Sequence, residues 1–295
     1  MVAFRRSGGT IRTPVVLILF NRPDALRRVF ERVAEARPET LFLIADGPRE
    51  GNSGDHELCA KARDIVSDIS WPTEVHVNFS EINVGCGRRI ASGLDWVFSR
   101  VSEAIILEDD CLPSSQFFPF CEEMLGRYRN DNRIGVISGD NFVTPELRCS
   151  ESYYFSRYAH VWGWATWRRT WRLFDFQLSK WPRFRSPDLL SKITQRPETV
   201  RFWTEVFDHQ YISHSAWANR LVFTCFVNGL LNIIPEQNLV SNIGWGEAAT
   251  HAMDSESPLA NLPTGHIEFP LRHPDFFIPF READELTELV QFNRD

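Results

Sequence analysis

The sequence predicts an α/β fold in which a mostly parallel, doubly wound sheet is flanked by helices on both faces. Four short apolar runs rich in β-branched residues recur between Pro14 and Asp110, and a stretch of helical period separates each from the next. Each run also ends in polar residues, as expected where the carboxyl ends of parallel strands face a ligand.

The first run, PVVLILF (Pro14 to Phe20), has no polar alternation and reads as a strand buried on both faces. A helix follows with Ala25, Leu26, Val29, Phe30, Val33 and Ala34 on one stripe and Arg27, Arg28 and Arg32 on the other side. TLFLIAD (Thr40 to Asp46) repeats the pattern with a helix near Leu58 to Ile69, and EVHVNF (Glu74 to Phe79) precedes a helix bearing Ile90, Leu94, Val97 and Phe98. AIILEDD supplies the fourth strand. An aromatic helix from Phe117 to Tyr128 and the strand-like GVIS (Gly135 to Ser138) then close the first half. From Tyr153 to Phe184 the tryptophans Trp162, Trp164, Trp167, Trp171 and Trp181 interleave with arginines. Helices are expected around Glu198 to Asp208 and Ala216 to Val227, before LNIIP and NLVSNIGWGEAATH.

Composition bounds the function. The 295 residues and 43% hydrophobic content suffice for one large domain. A formal net charge of −7, without a basic block, argues against a nucleic-acid partner. Six cysteines without CxxC spacing read as free thiols rather than a disulfide or zinc framework. No apolar run is long enough to span a bilayer and the first residues lack a signal-peptide pattern, so a cytoplasmic protein is expected.

The strand ends carry the chemistry. They read Asn21-Arg22-Pro23, Asp46-Gly47, Asn83 with Gly85 slightly beyond the third strand, and Glu108-Asp109-Asp110. Three acids at the end of a buried strand call for a compensating cation, and a hard ion such as Mn²⁺ or Mg²⁺, completed by diphosphate oxygens, meets that demand. A solvated acidic turn is the alternative. Arg88 or Arg89, opening a helix, could grip a phosphate through forked donors. NVGCGRR is not a phosphate loop, and neither GxxxxGK[ST] nor GxGxxG occurs, which disfavours an ATPase or a dinucleotide enzyme.

Taken together and in order, LILFNRP, LIADGPR, INVGCGRR, LEDDCLPSSQFFPF and LVSNIGWGEAATH resemble bacterial GT-A glycosyltransferases of the family-2-like group. The Glu-Asp-Asp region is also similar to N-acetylglucosaminyltransferase I. The resemblance implies the GT-A (nucleotide-diphospho-sugar transferase) fold with its Rossmann-like sheet. It places a catalytic domain at 13–255, with a nucleotide-binding half at 13–140, an acceptor-side half at 141–255 and a C-terminal extension at 256–295. It further implies that Asp110 holds the metal, with His251 as second ligand, and that Asp109 contacts the ribose or donor sugar and Glu108 the donor sugar. Phe20, Asn21, Arg22 and Asp46 would form the nucleoside pocket.

An inverting transferase needs a base for the acceptor hydroxyl. The family's Trp-Asp pair is expected about thirty residues before the C-terminal histidine, but this chain has Trp217-Ala218-Asn219. Asp208, Glu247 and Asp140 are therefore the candidates. The aromatic segment fits an acceptor wall centred on Trp162, Gly163 and Trp164, and an aromatic subcore is the alternative. The leading expectation is metal-assisted transfer of a sugar, UDP-linked in this reading, to a glycan or lipid-linked glycan, with membrane contact only through that acceptor. The rivals are a catalytically degenerate nucleotide-sugar or glycan binder and a sugar-phosphate nucleotidyltransferase.

Overall fold

The computed structural model describes residues 10–143, 147, 149–213, 215–245 and 259–292. In chain order the elements are β1 (Val15–Leu19), α1 (Pro23–Ala36), β2 (Thr40–Ala45), α2 (Ser53–Ile65), β3 (Glu74–Phe79), α3 (Cys86–Phe98), β4 (Glu103–Glu108), β5 (Cys111–Pro113), α4 (Phe117–Tyr128) and β6 (Ile134–Ser138). There follow β7 (Tyr153–Ser156), β8 (Trp164–Trp167), α5 (Arg168–Trp171), α6 (Trp181–Phe184), α7 (Pro187–Leu190), α8 (Pro197–Ser213), α9 (Ala218–Asn228), β9 (Leu231–Pro235), β10 (Val240–Asn242) and α10 (Arg281–Gln291).

Eight strands form one sheet in the order β3-β2-β1-β4-β8-β6-β9-β7, and β5 pairs with β10 apart from it. β3, β2, β1 and β4 are mutually parallel, and β8 runs antiparallel between β4 and β6. The ends of β1 to β4 and of β6 therefore share one edge with the start of β8.

Strand periodicity splits the core into two layers. Val15, Leu17 and Leu19 of β1 face one side with Leu41, Leu43, Ile105 and Leu107, where α1 and α4 cover them with Leu26, Val29, Phe117 and Met124. Val16 and Ile18 face the other with Phe42, Ile44, Ala104 and Ile106, beneath α3, α8 and α9. Burial of both faces explains the runs without polar alternation.

Three expectations change. β3 is an edge strand, and Val75 and Val77 of its apolar run are exposed. The aromatic segment contains β7 and β8, and both make the sheet mixed: β7 runs antiparallel to β9 at the edge, and Trp164, Ala165 and Thr166 of β8 pair with β4 on one side and β6 on the other. The segment after residue 256 is more than an appendage. Ile267 and Leu271 join the main core, and buried Asp284 of α10 accepts from Ser156 Oγ at 2.5 Å and Arg157 Nε at 2.8 Å.

Gly139, just past β6, shows how tightly the shared edge is built. A Cβ there would lie 2.5 Å from Phe117 Cε2, 2.6 Å from Val240 Cγ2 and 2.7 Å from the Gly163 carbonyl. Gly139→Ala is expected to cost about 1–3 kcal/mol through overpacking, seen as a lower Tm in thermal unfolding followed by circular dichroism.

Candidate active site

The three acids stand where β4 ends. Asp109 accepts the Phe20 amide on Oδ2 at 2.9 Å, which ties the end of β4 to the end of β1. Arg22 Nη1 lies 2.6 Å from Asp110 Oδ2 and 3.3 Å from Asp109 Oδ1. Pro23 begins α1 at once, so the β1–α1 connection is only Phe20-Asn21-Arg22. Asp110 is flanked by the Cys111 thiol, 3.6 Å from Oδ1, and by Gly244, and the Ile243 amide donates to the Asp110 carbonyl at 2.8 Å.

Three carboxylates face one guanidinium. Burial, then the charges of Asp110 and Asp109, push Glu108 well above the usual carboxylate range; burial, then Asp110, do the same to Asp109. Arg22 opposes both. The uncompensated negative charge and the all-oxygen donor set fit a hard divalent cation. Among the described residues no three His, Cys, Asp or Glu side chains form a full metal shell. An ion would therefore rest on Asp110 and on oxygens of its ligand, the usual habit of Mg²⁺. His251 and Glu247 lie outside the described residues.

The remaining candidates separate by their partners. Asn21 Nδ2 donates to Asp55 Oδ1 at 2.8 Å. Asp46 is occupied: Oδ1 accepts the Gly47 and Val84 amides and Oδ2 the Gly85 amide, each at 3.0 Å. Its carboxylate braces the loop into α3 rather than standing free for a base N–H, a correction to the nucleoside-pocket expectation. Asn83 joins that brace by donating to the Gly47 carbonyl at 2.8 Å. Arg89 is buried, donating to the carbonyls of Ala45 and Asn78 and clamping β2 to β3, so it is not free for a phosphate. Arg88 is exposed on the first turn of α3. That turn adjoins the acids, since burial first and then the charges of Glu108 and Asp109 push the Cys86 thiol up to about 12.

On the acceptor side, Trp164 is 1% exposed and stacks on Trp217 at 5.3 Å, which makes it core rather than wall. Gly163 takes φ +66°, and a Cβ there would meet Val240 at 2.8 Å, so it serves the turn. Only Trp162 of the three keeps partial exposure, edge-on to Trp245 at 5.9 Å. Asp140 is fully buried past β6: Oδ1 accepts the Trp162 amide at 3.1 Å and Oδ2 stands 3.5 Å from His160 Nδ1. Asp208 is taken by Trp181 Nε1 and by Arg185 in a two-point ion pair, at 2.8 to 3.0 Å.

Sequence reasoning missed Arg49 and Asp55. Arg49 lies over the Phe20 ring, 5.5 Å from its centroid, while its Nε and Nη2 grip Asp55, whose pKa this bond lowers to about 2. Both sit in or just after the PREGNSGD loop, where an Arg and an Asp six apart are the only signal. Gly244 lies within LVSNIGWG, but only the fold sets it against Asp110. A Cβ there would lie 2.2 Å from Asp110 Oδ2, so Gly244→Ala should displace that carboxylate and weaken Mn²⁺-dependent nucleotide binding roughly tenfold or more. Calorimetry on the wild type and the variant checks this.

No protein-family model matches the sequence, and no curated relative is found. Among solved structures the chain is similar to the mannosyltransferase PcManGT of Pyrobaculum calidifontis, in complex with GDP-Man and Mn²⁺, at 14% identity and TM-score 0.37 over 56% of this chain and 46% of that one. It is also similar to the 4-diphosphocytidyl-2C-methyl-D-erythritol synthase of Anaerococcus prevotii, at 8% identity and TM-score 0.34 over 58% and 77%. A third likeness is to the inositol-1-phosphate CTP transferase of T. maritima, at 9% identity and TM-score 0.33 over 56% and 74%. The chain spans less than half of the mannosyltransferase it matches.

Proposed function

We propose that the chain is a metal-assisted glycosyltransferase acting on a nucleoside diphosphate sugar, with 13–140 as its nucleotide half and 141–255 as its acceptor half. The carrying observation is the acid cluster at the end of β4, three carboxylates held, among the described residues, against the one cation Arg22 at the edge where the parallel strands end. A divalent ion bound by Asp110 would neutralise charge developing on the departing diphosphate.

The chain's own residues supply the rest of this reading. Asp109 fixes the β1 end through the Phe20 amide, Asp110 would hold the ion, and Arg22, now on both acids, would be the cation nearest the diphosphate. Phe20, with Arg49 above it, offers a ring for the base. Trp162 and Trp245 flank the acceptor side, and of the described base candidates Asp140 stands at the shared edge. A glycan or lipid-linked glycan is the acceptor of this proposal.

The nucleotidyltransferase reading shares the sheet and the metal. It needs a loop able to wrap a triphosphate, whereas the β1–α1 connection is three residues long and its first amide is already given to Asp109.

Calorimetric titration with UDP, GDP, dTDP and CMP, each with and without Mn²⁺, tests the donor site. Metal-dependent binding of one nucleoside diphosphate is expected, UDP first. Metal-independent binding, or none, would reject the assignment of Asp110.

A further inference from the structure

The segment between β8 and α7 carries six basic residues, Arg168, Arg169, Arg172, Lys180, Arg183 and Arg185, against the one acid Asp175, in a chain whose net charge is −7. Elsewhere many surface cations sit on an adjacent acid: Lys61 on Glu57, Arg129 on Glu103, Arg133 on Asp131 and Arg281 on Glu285. Arg168 and Arg169 are tied to backbone carbonyls and Arg185 to Asp208. The side chains of Arg172, Lys180 and Arg183 are exposed and have no ion pair or hydrogen bond among the described residues.

Apolar side chains stand beside these cations. The inner side of the segment is anchored by Trp171 stacked on Phe174 at 4.3 Å and by Trp181 against Phe207 and Phe223. Its outer side presents Leu173, 44% exposed. Arg220 at the start of α9 binds the Phe176 carbonyl and also Gln210, which brings the last turn of α8 alongside, with Tyr211 42% and Ile212 82% exposed. Trp217, at the head of α9, stacks on Trp164, whose strand begins where β4 ends. The segment itself leaves the sheet at the opposite edge, since Trp167 pairs with Glu103 at the start of β4 and the Arg168 amide donates to the Ser102 carbonyl.

We infer that this face, with Arg172, Lys180 and Arg183 around Leu173, Tyr211 and Ile212, docks the protein on an anionic lipid surface. The unpaired cations suit anionic headgroups, whose negative surface potential attracts basic side chains. The apolar tips suit the headgroup boundary, where a polyanion such as RNA would leave them uncovered. The inference does not depend on the reaction proposed above.

The test is co-sedimentation of the full chain with vesicles of phosphatidylglycerol and phosphatidylethanolamine, against vesicles of phosphatidylcholine alone. The protein is expected to partition to the anionic vesicles and to be released at about 1 M salt, where the Debye length is about 3 Å. The triple variant R172E/K180E/R183E and, separately, L173D/I212D should each reduce partition at least about tenfold. All five side chains are exposed, so both variants should keep the wild-type Tm. Absence of binding to anionic vesicles, equal binding to phosphatidylcholine, or undiminished binding by folded variants would overturn the inference. Capture on heparin without vesicle binding would also overturn it, reassigning the face to a polyanion.

Discussion

Asp110→Ala should abolish the Mn²⁺-dependent part of nucleoside diphosphate affinity, a loss of about 100-fold or more, near 3 kcal/mol. The expectation follows from position. Asp110 Oδ2 is the oxygen that Arg22 grips at 2.6 Å, and Gly244 packs against it. The fold should survive, because Arg22 keeps Asp109 at 3.3 Å and Asp109 still receives the Phe20 amide. Calorimetry with and without Mn²⁺, beside a thermal melt, separates the two effects. Metal-dependent affinity retained by a folded variant would place the ion elsewhere.

The second large effect concerns stability against pH. Burial and the neighbouring acids push Glu108 up to about 8 and Asp109 up to about 7. Folded-state values above the unfolded ones mean that the native chain holds extra protons, so stability falls as pH rises toward about 8. Two other groups bound the useful window. His160, pushed down to about 4 by burial, loses stability as pH falls below about 6.5. Asp55, held at about 2 by Arg49, loses its contribution only below the normal carboxylate range. In metal-free buffer Tm should therefore decline between about pH 6.5 and 8. Glu108→Gln should flatten that decline and raise Tm at pH 8 by roughly 5 °C, taking 2–4 °C per kcal/mol for a domain of this class. Mn²⁺ should raise the wild-type Tm more at pH 8 than at pH 6.5, since it binds the deprotonated acids. A Tm that rises across this window in E108Q and wild type alike would show that the cluster does not strain the fold.

Much of the sheet is legible from composition along the chain. β1, β2 and β4 are buried on both faces, so their apolar runs are continuous, and α1, with its charged outer side, shows a clean stripe. β8 escapes because WATW has only four residues, and its place between β4 and β6 is a long-range pairing. The same insertion explains why Trp164 reads as a wall and lies in the core: strand alternation points it under α9 against Trp217. At the site, the acids are visible as a run at a strand end. The competition for each polar group is not visible, because two of the three amides that take up Asp46, those of Val84 and Gly85, and the carbonyls that hold Arg89 come from neighbouring strands and loops. Arg49 and Asp55 fall outside the reading for the same reason, since their value comes from reaching across to β1.

The central claim is that the acid cluster assists cleavage between the sugar's anomeric carbon and a diphosphate. Its most direct test is to incubate the protein and Mn²⁺ with UDP- and GDP-sugars, with and without pyrophosphate, and to identify the nucleotide product by mass spectrometry. Glycosyl transfer, to water where no glycan acceptor is supplied, predicts release of the nucleoside diphosphate and free sugar, independent of pyrophosphate and lost in Asp110→Ala. Formation of the nucleoside triphosphate and a sugar 1-phosphate, only when pyrophosphate is present, would contradict it and identify a nucleotidyltransferase.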